Sequence, residues 1–167
     1  MAVAQDRQDL IAILAEQRDI FRITLRGLDD ADARQRTTVS ELTLGGLLYH
    51  LVSTERHWTT VVTERDEKAE FDLSEMDSQY RMGPDETLEG LLAEWDAVSE
   101  QTATLIRELD SLDASIPIPT APWQPELTWQ TARHIILHIL REISHHSGHA
   151  DIIREALDGA NTTYQRA

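Results

Sequence analysis

Five of the chain's seven histidines fall between His134 and His149, in RHIILHILREISHHSGHAD, a stretch otherwise rich in isoleucine and leucine. On a helix, at ~100° per residue, His138, Glu142 and His146 follow one another at four-residue steps and drift only ~40° per step, with His145 and His149 flanking the same face. Imidazole nitrogens and a carboxylate on one stripe are metal-ligand chemistry. Two helix residues four apart can reach one ion, and a facing helix can supply a third donor. His50, set among Leu47, Leu48, Leu51 and Val52, is the candidate for that donor. A lone histidine on an apolar face is commonly a hydrogen-bonded core residue, and a stripe of histidines facing solvent is the bland reading of the cluster. Against that reading stands Glu142: burying it beside several imidazoles without a cation or hydrogen-bond partners would cost several kcal/mol. Spacing alone leaves two equally good pairs, Glu142 with His146 and His145 with His149.

The elements that must position these residues read as helices. From about Gln8 to Leu28, apolar residues recur at three- and four-residue steps. A polar connection follows, and a second helix, carrying His50, runs from Leu42 to about Thr63 with Ser40 or Thr43 as N-cap. The charged, weakly periodic stretch ERDEKAEFDLSEMDSQYRMGPDE reads as a long connection with at most a short helical piece. Asp85 can cap a third helix from about Glu86 to Leu109, with Leu88, Leu91, Leu92, Trp95, Val98, Thr102, Leu105, Ile106 and Leu109 on its inner face. Pro117, Pro119, Pro122 and Pro125 forbid helix in SIPIPTAPWQPEL, which is expected to be an extended crossover. Thr128 is the expected cap of a long fourth helix through about Leu157, stopped by Asp158-Gly159. Four helices of this length, joined partly by long connections, indicate a four-helix bundle, and no strand-period run competes.

Composition narrows the function classes. A chain of 167 residues with 41% hydrophobic content fits a single domain, residues 1–167, able to bury a core without disulfides or structural metal. It contains no cysteine, which excludes disulfides, thiolate metal sites and cysteine nucleophiles, so any thiol chemistry must use a thiol brought by a ligand. Thirty acidic against 15 basic residues give a formal charge of −15, which repels nucleic acid and anionic membrane surfaces. MAVAQDRQDL lacks the basic flank and apolar run of a signal peptide, and no stretch approaches the ~18 apolar residues of a membrane span. The cytoplasm is the expected location, and a homodimer is left open.

Together, HIILHILREISHHSGHADIIREALDG and LGGLLYHLVSTERHW resemble the DinB-like superfamily, specifically its actinobacterial branch of mycothiol-dependent transferases and isomerases, over essentially the whole chain. The resemblance implies an all-α, up-down-down-up four-helix bundle with a long crossover before the fourth helix. It also implies a metal held by a histidine of the second helix and a Glu-x-x-x-His pair of the fourth, here His50, Glu142 and His146. His145 becomes a neighbour. His149 belongs to the family motif, and His138 is expected to line the same pocket.

A His, Glu, His set leaves a coordination position open, the mark of a catalytic site. Zinc is the first expectation, with nickel, cobalt, iron or manganese as alternatives. The resemblance implies that mycothiol, a cysteine-bearing pseudodisaccharide thiol, enters there and is activated for attack on a small electrophile. His149 would accept the thiol proton or hydrogen-bond the sulfur, or else support a ligand from behind. For the sugar and inositol hydroxyls, Asp151 and Arg154 are the candidate partners, with Arg56 and Trp58 also available; a salt bridge or packing contact is the alternative for each. The leading expectation is a mycothiol S-transferase. A mycothiol-dependent maleylpyruvate isomerase carries a further C-terminal domain, whereas this sequence stops soon after the fourth helix. A metal-dependent hydrolase and a non-catalytic metal-binding stress protein are the remaining readings.

Overall fold

In the computed structural model, which describes residues 2–74, 76 and 78–165, the chain runs α1 (Ala2–Ile23), α2 (Asp30–Ala33), α3 (Leu44–Glu64), α4 (Leu88–Glu108), β1 (Ser115–Ile118), β2 (Thr128–Thr131), α5 (Ala132–Asp158) and α6 (Thr162–Gln165). The four long helices form the bundle: α3 packs on α4 and α5, and α1 packs on α5 and α4. The core is the apolar stripe of each, including Phe21, Leu47, Leu48, Leu51, Trp95, Ile106, Ile136 and Ile143. Burying each such side chain contributes roughly 1.5–3 kcal/mol. No helix among the described residues is long and apolar enough to cross a membrane.

The helix ends differ from the sequence reading where short polar side chains compete for the cap. α1 stops at Ile23, where the Thr24 hydroxyl donates to the Phe21 carbonyl at 2.7 Å and Gly27 takes a left-handed φ of 73°. The polar connection beyond it holds the short α2, fixed by a reciprocal capping box between Asp29 and Asp32. Of the two candidates, Thr43 caps α3, accepting from Gly46 N–H at 3.1 Å. Thr87, and not Asp85, caps α4 through Gly90 N–H at 3.0 Å.

The crossover is extended as its prolines require, but it is also paired. β1 and β2 form an antiparallel two-stranded sheet with Ile116 opposite Gln130 and Ile118 opposite Thr128. Thr128 is therefore a strand residue, and the cap of α5 is Thr131, which accepts from His134 N–H at 3.1 Å. Pro117 lies opposite Trp129 on a sheet of two edge strands, where a missing donor is tolerated. α5 ends at Gly159, φ 82°, as its Asp-Gly pair predicts. The long connection after α3 carries no helix among its described residues. It is tied to the crossover by Phe71 N–H donating to Thr120 O at 2.8 Å and Thr120 N–H donating to Ala69 O at 3.0 Å.

A buried ion pair knits α1, α3 and α4. Glu55, 1% exposed, accepts from the Arg18 guanidinium at 2.5 and 3.2 Å, from Trp95 Nε1 at 2.9 Å and from the Thr102 hydroxyl at 2.7 Å. This carboxylate is satisfied from several sides, as a buried charge must be.

Candidate metal centre

α3 and α5 face each other across the bundle, and this contact brings the two sequence motifs together. His50 Nε2 lies 3.9 Å from Glu142 Oε2, and His146 Nε2 lies 3.7 Å from the same oxygen. His50 and His146 are both buried, with ring centroids 4.9 Å apart. Glu142 Oε1 turns the other way, 3.7 Å from His138 Nδ1 and 3.4 Å from Arg141 Nη2. The Arg141 guanidinium also contacts His138 Nδ1 directly. His50 and Glu142 line a cavity of about 300 Å³ together with Thr54, Trp58, Phe71 and His138.

His50 is held on several sides. Its ring stacks on Tyr80, with centroids 4.1 Å apart and an interplanar angle of 25°, and it donates a hydrogen bond to the backbone carbonyl of Gln79. Thr54 Oγ1 stands 3.4 Å from Nε2. The Tyr80 strap can lie this close to α3 because Gly45 and Gly46 open the helix. A Cβ on Gly46 would stand 2.1 Å from the Tyr80 carbonyl oxygen, and one on Gly45 would stand 2.6 Å from Met82 Sδ.

Burial governs the protonation of the cluster. It pushes the His146 imidazole down to about 4, helped by the neighbouring His50 and opposed by the Glu142 carboxylate. The same desolvation lowers His50, again against Glu142, and lowers His57 and His138. Neutral imidazoles are the metal-binding form. At 3.7 and 3.9 Å the donors facing Glu142 Oε2 are too far apart for hydrogen bonds. Two ligands at ~2.0–2.1 Å from one ion subtend ~3.3 Å at the tetrahedral angle. The three donors, all within 4.8 Å of one another, would close on a divalent cation by side-chain adjustment, and one carboxylate with two imidazoles is a suitable donor combination for it.

A family model describing the mycothiol-S-transferases matches residues 9–159. The chain belongs to the mycothiol-S-transferase family. It is a DinB-like family, and the helical bundle with its small hairpin accords with that fold. The crystal structure of the conserved protein of locus from Enterococcus faecalis superposes with a TM-score of 0.68 at 16% identity, covering 92% of this chain and 97% of that one, a likeness of fold alone. No curated protein matches.

In this mycothiol-S-transferase family member the remaining candidate residues lie in three settings. His149 stands behind His146, its Nδ1 3.2 Å from His146 Nδ1, on the ring edge away from Glu142. His145 is exposed, and with His146 and His149 it forms a second group of imidazoles whose nitrogens lie within 4.8 Å of one another. Both four-residue pairs thus come together, but His145 and His149 do not line the cavity that His50 and Glu142 line. Asp151 and Arg154 are engaged elsewhere. Asp151 accepts from Thr162 N–H at 2.9 Å and from the Thr162 hydroxyl at 2.6 Å. Arg154, 5% exposed, donates to the carbonyls of Thr24 and Arg26 at 2.8 and 2.9 Å and pairs with Asp158. These contacts tie α5 to the C-terminal turn and to the end of α1, away from the cavity. Arg56 pairs with Glu94, whereas Trp58 does line the cavity. The sequence reading passed over His57, Phe71 and Tyr80. Only the paired glycines before His50 hinted that a strap would cross there.

Proposed function

We propose that the chain is a metal-dependent mycothiol S-transferase, working as one domain, in which His50, Glu142 and His146 hold one divalent cation and the adjoining cavity receives thiol and electrophile. The observation that carries this reading is the convergence of two buried imidazole nitrogens on one carboxylate oxygen at the edge of that cavity, in a chain of the mycothiol-S-transferase family. The mixed nitrogen and oxygen donors favour zinc; nickel, cobalt, iron and manganese accept the same set. A divalent cation there would lower the pKa of an entering thiol and favour its nucleophilic thiolate form.

The chain's own residues supply the rest. His57, kept neutral by burial and lining the cavity, can take the thiol proton. The thiol sulfur then forms a bond to the electrophilic carbon, whose leaving group departs with its electron pair. His138 receives the Arg141 guanidinium at Nδ1, so its proton sits on Nε2 and it can donate into the cavity. His149 acts as a positioning residue: its contact with His146 Nδ1 holds that ring so that the Nε2 lone pair faces Glu142. Trp58 and Phe71 give the cavity apolar walls beside these polar groups.

The test is conjugate formation with an activated aryl halide, read by mass spectrometry. Metal-loaded protein yields the mycothiol conjugate, whereas chelated protein and Glu142→Ala yield none above the uncatalysed background. Equal conjugation by chelated protein, or thiol-independent hydrolysis of ester substrates by the loaded protein without any conjugate, would refute the reading.

A further inference from the structure

Beside the 300 Å³ cavity lies a second of about 410 Å³, and the two share His57, Trp58, Phe71 and His138. They are the inner and outer chambers of one groove. The inner chamber reaches His50 and Glu142, and its large walls are Trp58, Phe71 and Met76. The outer chamber is built against the hairpin, and Trp123, Gln124, Gln130, His134 and Arg141 are among its walls. Of these outer residues only Arg141 has a part in the proposed catalysis, through its contact with His138.

We infer that the outer chamber binds the hydroxyl-rich sugar and cyclitol of the thiol cosubstrate, leaving the inner chamber to the electrophile. This rests on the mycothiol reading above. The thiol sulfur must reach His50 and Glu142, so a thiol anchored outside has to lay its cysteinyl arm across the wall that Trp58 and His138 share between the chambers. Their rings close that wall in edge-to-face contact, with centroids 5.0 Å apart.

The lining of the outer chamber matches a neutral polyol. Buried hydroxyls need both donors and acceptors. Glutamine side chains offer both, and Arg141 adds donors. Trp123, 62% exposed, presents an apolar face on which the C–H face of a sugar ring can rest. Among the described residues Arg141 is the one side chain of permanent positive charge lining this chamber, and it already serves His138 and Glu142. With a chain charge of −15, that is a poor setting for an anionic ligand.

The chamber is also pre-formed, which lowers the entropic cost of binding. Gln130 is fixed by its strand register opposite Ile116, and Gln124 bonds to the Thr128 hydroxyl. Phe71 is pinned by its backbone bond to Thr120 and meets Trp123 edge-on at 5.3 Å. Asp151 and Arg154, occupied in structural contacts, leave this role to the hairpin.

Calorimetric titration of the metal-loaded protein with mycothiol and with N-acetylcysteine, its sugar-free counterpart, tests the assignment. The wild type is expected to bind mycothiol at least ~10-fold more tightly than N-acetylcysteine. Trp123→Ala combined with Gln130→Ala, both at partly exposed hairpin positions, should remove most of that difference and leave N-acetylcysteine affinity unchanged. Circular dichroism melting checks that the variant folds, and Gln130→Ala alone serves as the milder probe. Equal wild-type affinity for the two thiols, or a variant that keeps its mycothiol preference or loses both thiols equally, would overturn the outer-chamber assignment. If the wild type bound neither thiol, the transferase reading itself would fall.

Discussion

Glu142 joins every group at the site: Oε2 faces the two imidazoles of the metal set while Oε1 faces His138 and Arg141. Glu142→Ala should weaken metal binding by more than ~100-fold in competition with a chromogenic chelator, since it removes one of the three proposed ligands. His149→Ala should cost only ~10–100-fold, the usual loss when a ligand's outer support is removed. A His149→Ala protein with unchanged metal affinity would remove its positioning role. The metal-free protein should also lose stability on acidification in a defined window. His146 is depressed to about 4 in the folded state but titrates near ~6.5 when unfolded, so protons bind preferentially to the unfolded chain. Its contribution is complete above pH ~6.5 and is lost as pH falls through the folded value near 4. Urea midpoints between pH 7.5 and 4.5 should therefore fall more steeply for the wild type than for His146→Gln, and parallel curves would contradict the assignment.

At the scale of elements, the sharpest dependence lies at the start of α3. Gly46→Ala would drive a methyl into the Tyr80 carbonyl. It should destabilise the protein by about 1–3 kcal/mol, typical of overpacking, and loosen the stacking that orients His50. Denaturant unfolding checks the first effect and metal affinity the second. Such a contact is not legible from periodicity, which shows only that two glycines interrupt an otherwise apolar helix. The long helices were legible because their buried stripes repeat every three or four residues. Their ends were not, because Thr87 and Asp85 are both capping types just before the same helix start, and because Thr128 is drawn into strand pairing with Ile118 that no local pattern reveals. The hairpin was hidden for a related reason: its prolines announce extended chain, but the partner of each strand is set by register across the excursion between Ile118 and Thr128. The ligand candidates stood out as rare polar types on apolar helices, whereas Phe71 enters the cavity from a connection with no periodic signal, and His57, on α3, has no second histidine three or four residues away to mark it.

For the whole molecule, two charged centres hold the bundle in different ways. The Arg18–Glu55 pair is internal and fully partnered. Glu55→Ala should cost ~3–5 kcal/mol by stranding the buried guanidinium, and a loss below ~1 kcal/mol in denaturant titration would show that the network contributes little. The His50, Glu142 and His146 set instead bridges α3 and α5, so under the proposed function its stabilising effect depends on free metal. At a metal concentration 100 times Kd, about 2.7 kcal/mol should be gained, seen as a fall in Tm on chelation that is absent in Glu142→Ala. The central claim is that this bridge is where a thiol cosubstrate enters, and calorimetric titration of the metal-loaded protein with mycothiol, with glutathione as the control thiol, tests it most directly. The account predicts saturable, metal-dependent binding of mycothiol that is abolished by Glu142→Ala and not reproduced by glutathione; metal binding without any mycothiol binding would contradict it.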